Sequence, residues 1–363
     1  MKPIMNDKKI VNSWALFDWA NSAYALVIST AIFPIYFTAN TPEIVHILGL
    51  EFTNSSLYTF AVSFSYIIIA FMSPILSGIA DYSGRKKYFL KIFTIVGSLA
   101  CSALWFFDGV GTYWIGTLGF IVATIGFAGA LVFYNAYLPE IATEDQYDLV
   151  SAKGFAYGYV GSVILLIIIL FMISKHDMFG FPTEKTPIRI GFLLVGVWWL
   201  FFGFISFKGL PNDLNKEKQD NIVQKGYQEI KNVFAELQDR PNIKRFLASF
   251  FFCSAGVQTV IYVASIFAKD ELAFESTELI TIILLLQLVG IIGAFLFAYI
   301  SKQTTNKTSL IISIVIWIII CVAAFFVSTK PQFYIIAATV GLVMGGIQSM
   351  SRSTYSKLLD EGE

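Results

Sequence analysis

The apolar residues of this chain fall into about ten blocks, each close to the ~20 residues that a helix needs to cross a bilayer. They run over residues 14–38, 56–79, 88–107, 112–134, 152–174, 188–207, 243–268, 277–300, 309–328 and 333–350. Of the 363 residues, 56% are apolar and 14% charged, against roughly 45–50% and 25% in soluble domains. That balance argues against a soluble globular enzyme. It predicts an all-α, polytopic membrane protein.

Charge and reactive side chains remove further classes. Lys plus Arg and Asp plus Glu each number 25, so no basic excess attracts a phosphate backbone, and nucleic acid is not expected as a partner. Cys101, Cys253 and Cys321 all sit inside apolar blocks, and His46 and His176 lie in separate loops. Neither a disulfide framework nor a His/Cys metal site follows. No GxxxxGK[ST] loop is present, so no ATP site is expected. No cofactor is implied.

Orientation comes from the basic residues. With the N-terminus inside, the inner segments and span ends collect 20 of the 25 Lys/Arg, leaving Lys175, Lys185, Arg189, Lys269 and Lys330 outside. That bias predicts cytoplasmic termini. The first block is too long for a cleaved signal and carries Asp18 and Asn21.

The longest polar stretch, Lys208 to Arg245, holds 14 charged residues and separates six spans from four. It reads as a cytoplasmic linker. Inside it Val223, Tyr227, Ile230, Phe234 and Leu237 give a helix one apolar stripe, read either as a helix lying on the membrane or as one packed under the bundle. The expected domains are therefore 1–207, a six-helix bundle; 208–242, the linker; and 243–363, the first four spans of a second bundle.

An internal repeat supports that division. A shift of 221 residues sets Asp81 on Lys302, Gly84 on Thr305 and Lys86 on Lys307 at the turn after the eighth span, and Tyr134 to Glu140 on Tyr355 to Glu361. Two matches at one offset, both at equivalent turns, point to a duplicated half. The repeat predicts counterparts of spans five and six beyond Glu363, so this chain reads as a fragment or as a natural ten-span form.

Asp81, Gly84, Arg85, Lys86 and Lys87 form D-x-x-G-R-K-K at a tight turn after span two. Glycine permits the left-handed backbone such a reversal needs, the carboxylate can cap a helix or pair with a base, and the basic run suits an anionic leaflet. The turn resembles the signature of the major facilitator superfamily, with Ser77 where that signature has its leading glycine.

The first span reads WALFDWANSAYALVI, Trp14 to Ile28. At ~1.5 Å per residue from a Ser13 cap, Asp18 lies roughly 7 Å and Asn21 roughly 12 Å along the axis. Polar groups at that depth face protein or water. Asp18 is read either as a proton carrier or substrate contact, or as a charge stabilising the helix start. Asn21 and Tyr24 are expected to share its cavity.

This span, together with NAYLPEIA (Asn135 to Ala142), GFAYGYVGS (Gly154 to Ser162) and GGIQSMSRS (Gly345 to Ser353), resembles the bacterial branch of the "unknown major facilitator" family. That family also holds the autophagy-related vacuolar amino-acid effluxer of yeast. The resemblance runs from Trp14 to Glu361. It implies the major facilitator fold, twelve helices in two six-helix bundles, of which ten spans are present here. It also suggests amino-acid efflux. Asp360 stands where the family usually has proline.

Asn135, Pro139 and Glu140 end span four, and Arg352 follows span ten. Charges at such equivalent ends are candidates for ion pairs that lock one state of an alternating transporter, or are plain surface charges. Gly154, Gly158 and Gly161, and likewise Gly341 and Gly345, make smooth helix sides suited to close packing. Gln258, Tyr262, Gln287 and Gln348, with Trp198, are cavity candidates because polar groups facing lipid are costly. The expected partners are a small-molecule substrate, protons as coupling ion, and the bilayer; a monomer is expected. A secondary transporter leads, for amino acids or another metabolite or drug. An intramembrane enzyme lacks a nucleophile–base pair, since no span holds a histidine, and a non-transporting receptor of the same fold stays open.

Overall fold

The computed structural model describes residues 4–47, 49–213, 231, 235 and 238–360; within them the side chains of Asp81, Tyr262, Val263, Ser265, Ile266, Asp270, Ser276, Thr277 and Asp360 are outside the description. The interfacial stripe Val223, Tyr227, Ile230, Phe234 and Leu237 lies outside the described residues.

Helix α1 (Lys8–Ala23) runs into a π-helical stretch, Tyr24–Ile32, and then into α2 (Phe33–Asn40). Its start is set by Asp7, whose carboxylate accepts from the N–H groups of Lys9 and Ile10 at 2.7 and 3.3 Å. A carboxylate is a preferred group at that cap. The expected start at Ser13 is thus corrected, and Asp18 lies ten residues inside the helix, roughly 15 Å along its axis. The change of helix type has a cause in Pro34, which lacks an N–H and crowds the carbonyl four residues back. The Thr30 hydroxyl accordingly donates to the Ala25 carbonyl five residues back, at 2.8 Å.

A hairpin of β1 (Ile44–Ile47) and β2 (Leu50–Thr53), paired antiparallel with Ile47 opposite Leu50, fills the loop before α3 (Asn54–Ser83). These strands lie between two apolar blocks and were not expected. Helix α3 stops at Gly84, whose φ of 66° is the left-handed conformation that glycine adopts without a Cβ clash. The remaining elements are α4 (Lys86–Ala103), α5 (Tyr113–Asn135), the short α6 (Leu138–Ile141), α7 (Tyr147–Ser174), α8 (Lys185–Gly209), α9 (Pro241–Asp270), α10 (Ser276–Gln303), α11 (Asn306–Ala324) and α12 (Lys330–Asp360).

Among the described residues nine helices are long and apolar enough to cross a membrane. The expected ten are not all reached: α9 is a 30-residue helix at the place of the seventh expected span, but it is not one of the nine.

The chain gathers into two compact units. One takes Asn12–Tyr137 and Gly161–Asn232; the other takes Met1–Val11, Leu138–Val160 and Val233–Glu363. Leu138–Val160, placed by the sequence with the N-terminal half, clusters with the C-terminal helices. In the first unit α4 packs on α5 and α8, and α3 on α5. A Cβ built at Gly97 would come within 3.0 Å of the Gly126 Cα, so these backbones meet directly. Its interior is aromatic, with Trp14, Phe17, Tyr24, Phe33, Tyr134 and Trp199 fully buried. In the second unit α12 packs on α10 and α11 around Phe297, Val343 and Met350. A Cβ at Gly341 would lie 2.7 Å from the Leu286 carbonyl oxygen. Small residues at such crossings let helices approach where lipid supplies no hydrophobic drive.

Candidate functional site

In the second unit a buried polar network joins the start of α7 to the ends of α10, α11 and α12. The Lys357 ammonium donates to Asp148 Oδ2 at 3.0 Å and to Asn306 Oδ1 at 2.7 Å. Asn306 Nδ2 donates to Asp148 Oδ1 at 2.7 Å, and the Ser301 hydroxyl lies 2.9 Å from Asp148 Oδ2. Each Asp148 oxygen is therefore met by a donor, the condition under which a buried charge is tolerated. Asn306 occupies its place because it opens α11 directly after the Thr305 cap, whose hydroxyl accepts from the Thr308 N–H at 3.1 Å.

The contacts continue along one stripe of α7. Ser151 Oγ donates to the Ser349 carbonyl at 2.8 Å and receives Arg352 Nε at 3.0 Å, and Arg352 Nη2 reaches the Ser151 carbonyl at 3.1 Å. The Arg352 guanidinium lies 4.0 Å from the centre of the Phe155 ring, a cation–π distance. One further turn along, the Tyr159 hydroxyl donates to Gln348 Oε1 at 2.6 Å. Asp148, Ser151, Phe155 and Tyr159 recur at spacings of three and four, so one face of α7 carries the whole series. Along α12 the partners run in the opposite order, from Lys357 back to Gln348. These polar contacts run beside Ala152, which is buried in the apolar core with Phe297, Val343 and Met350.

The first unit holds the acidic first-span site. Asp18 is 4% exposed and accepts from Ser22 Oγ at 3.0 Å and from the Tyr134 hydroxyl at 3.1 Å. Tyr134 is itself fixed by stacking on Trp14, with ring centres 4.5 Å apart, and by Trp14 Nε1 donating to its carbonyl at 3.0 Å. The Tyr24 hydroxyl lies 2.8 Å from Thr124 Oγ1. Asn21 is fully buried.

At the signature turn, Lys86 Nζ donates to the Ala136 carbonyl at 3.0 Å, closing the end of α5, and lies 5.5 Å from the Tyr137 ring centre. Lys87 is buried and donates to the Leu210 carbonyl at 2.8 Å and to Asn212 Oδ1 at 2.9 Å. In return, the Asp213 carboxylate accepts from the N–H groups of Lys87 and Tyr88 at 2.6 and 3.0 Å, capping α4. The side chain of Asp81 is outside the described residues, and Arg85 carries the non-helical backbone between α3 and α4.

Of the other expected residues, Asn135 and Glu140 are exposed and Pro139 is half-buried. Gly154 and Gly158 are buried in α7, and a Cβ at Gly161 would meet Trp19 Cδ2 at 2.7 Å. Gly345 abuts the Gly290 backbone. Gln258 is exposed, the side chain of Tyr262 is outside the described residues, and the buried Gln287 Oε1 has no partner among them. Asp148, Ser301, Asn306 and Lys357 escaped sequence reading. The 221-residue repeat held a signal for two of them, since it sets Asn306 on Arg85 and Lys357 on Ala136.

Comparison with known proteins agrees with this architecture. The family described as "Vacuole effluxer Atg22 like" matches residues 6–363. The uncharacterized MFS-type transporter YxiO of Bacillus subtilis (strain 168) is 33% identical over 351 residues, covering 96% of this chain and 80% of that one. Autophagy-related protein 22 of Kluyveromyces lactis is 23% identical over 348 residues, 86% of this chain and 69% of the relative. Among solved structures, the major facilitator transporter FucP in its outward conformation aligns with a TM-score of 0.66 at 14% identity, covering 98% of this chain and 90% of that chain. The proton:xylose symporter XylE aligns at 0.61 and 16%, covering 97% and 86%. The fold is that of the major facilitator superfamily.

Proposed function

We propose that this chain, which belongs to the Atg22-like vacuole effluxer family of the major facilitator superfamily and is a membrane transporter, not an enzyme, exports a small organic solute by alternating access. The solute class is amino acids, and the coupling ion is the proton. The reading places bundles 1–207 and 243–363 about the linker 208–242, with termini and linker on the cytoplasmic side of a bacterial inner membrane.

The observation that carries it is the α7–α12 stripe. Asp148, Ser151, Phe155 and Tyr159 belong to the fifth span, whereas Lys357, Arg352 and Gln348 belong to the tenth, so the contacts join a helix of one repeat to a helix of the other. On the orientation given by the basic residues, they shut the cytoplasmic end. Opening that end exchanges each bond for water and one ion pair for two solvated charges, a step with little net cost for polar groups. Asp18, with its Ser22 and Tyr134 donors, supplies the one buried carboxylate of the first span, where a proton can be held and released. The roles expected for Gly84 and Lys86 at the signature turn, and for Gly341 and Gly345 at the α10–α12 crossing, are structural in this reading.

The test is export from proteoliposomes loaded with labelled amino acids under an imposed pH gradient. Accumulation outside the vesicle that collapses with the gradient supports the reading; retention of every amino acid while another metabolite or drug leaves replaces the substrate class. No movement of any solute by well-folded protein would favour a receptor.

A further inference from the structure

In the first unit, α1 and the π-helical stretch that continues it are joined to α5 by polar rungs. One is the bond from the Tyr134 hydroxyl to Asp18 Oδ2, at 3.1 Å; another is Tyr24, whose hydroxyl lies 2.8 Å from Thr124 Oγ1 and 3.3 Å from the Phe120 carbonyl. Asn21 falls midway along the chain, three residues after Asp18 and three before Tyr24, beside each of them on the helix surface. It is 0% exposed, yet neither its Oδ1 nor its Nδ2 has a partner among the described residues. The outer rungs are satisfied and the middle one is open.

A buried amide with both ends unmet is costly. Interiors meet such groups with a bound molecule that has hydrogen bonds to give. The location is suited to one: the helix changes to π geometry at Tyr24, two residues after Ser22, and such bulges are frequent where a helix meets a ligand. Phe17, fully buried one turn before Asn21 and 5.2 Å from the Tyr134 ring centre, makes an aromatic wall. Asp18, one turn away, places a carboxyl group beside the amide, which favours a guest that brings a donor.

We propose that Asn21 is a binding point for a small group that both donates and accepts a hydrogen bond, a hydroxyl or amino group, seated between Asp18 and Tyr24. That chemistry has two sources: a resident water, or the polar end of the transported solute. The second source rests on the transport reading; the first does not.

Asn21→Leu, close in volume but apolar, and Asn21→Ser, which keeps a donor and an acceptor, are compared with the natural chain by thermal unfolding in detergent, without solute and with the standard amino acids added singly. A resident water predicts a lowered Tm for the leucine variant without solute, and recovery of most of the loss by serine. A solute group predicts a raised Tm for the leucine variant, since an empty orphan amide is gone, together with loss of the amino-acid-induced shift seen for the natural chain. A raised Tm with that shift intact overturns the proposal, as does a serine variant no more stable than a destabilised leucine one. If the natural chain shows neither shift nor export, the transport reading fails, and the direction of the solute-free Tm change alone decides for or against the water.

Discussion

Lys357 and Asp148 lie 209 residues apart in sequence, yet the ammonium of one sits 3.0 Å from the carboxylate of the other. Both side chains are largely buried, at 20% and 10% exposure. In that setting the partners do not contribute equally to two single mutations and their sum. Removing one partner strands the other charge, at roughly 3–5 kcal/mol, whereas replacing both by apolar groups is often neutral. Lys357→Met should therefore lower Tm more than the double change Asp148→Leu with Lys357→Met. A double change as unstable as the sum of its singles would show that the pair is not coupled.

If the same stripe closes one end of the transport path, weakening it should expose its inner residues. Ser151 is buried, with its hydroxyl held by Ser349 and Arg352. In a cysteine-free background, Ser151→Cys should react slowly with a thiol reagent, and adding Lys357→Met should speed the reaction severalfold. Equal rates in both backgrounds would mean that the ion pair does not hold this end shut.

The clasp at the signature turn makes a separate prediction. Asp213 meets two N–H groups at the start of α4, and its loss leaves them without that acceptor. Asp213→Ala should cost about 1 kcal/mol, the usual value of a lost N-cap, while Asp213→Asn, which retains an acceptor, should recover most of it. Denaturant or thermal titration of the three proteins reads the difference.

The glycine crossings give a paired test. A side chain at Gly341 would stand 2.7 Å from a backbone oxygen, whereas nothing lies within 4 Å of one at Gly256. Gly341→Val should lower Tm sharply, because two helix backbones must part, and Gly256→Ala should match or exceed the natural chain. Equal behaviour of the two variants would remove close packing as the role of Gly341.

The contrast between these sites marks what a sequence discloses. Spans were legible because lipid imposes length and apolarity on every helix at once, and Gly84 was legible because a left-handed turn selects its residue locally. The start of the first helix was missed by several residues: Ser13 looked like a cap, but Asp7 does the capping, and the apolar run alone carries no mark for the turn and a half of helix, Lys8 to Ser13, before it. The α7–α12 network was illegible for a different reason. Glu140 and Arg352 stood out as charges at equivalent ends, but the pairing depends on which faces of α7, α10 and α12 meet, and Lys357 alone reads as an ordinary last-turn cation. The 221-residue offset aligns Lys357 with Ala136 and Asn306 with Arg85, beside the signature turn where Lys86 donates to the Ala136 carbonyl.

Asp18 carries the last prediction. Helix α1 begins at Lys8 under the Asp7 cap, so Asp18 is too far along to act on the N-terminal dipole, whose effect fades within the first turn. What remains is a buried carboxylate with Ser22 and Tyr134 as donors. Asparagine keeps an acceptor for one of those hydroxyls, so Asp18→Asn should cost no more than about 1 kcal/mol in stability. It cannot release a proton. If Asp18 couples transport to the pH gradient, the variant should lose uphill export yet still exchange labelled for unlabelled solute across the vesicle membrane, since exchange needs the path to open and close but no net proton movement. Both assays are run on the same reconstituted protein. Gradient-driven accumulation that survives in the variant would take the coupling role away from Asp18, and loss of exchange along with uphill export would assign it to solute binding instead.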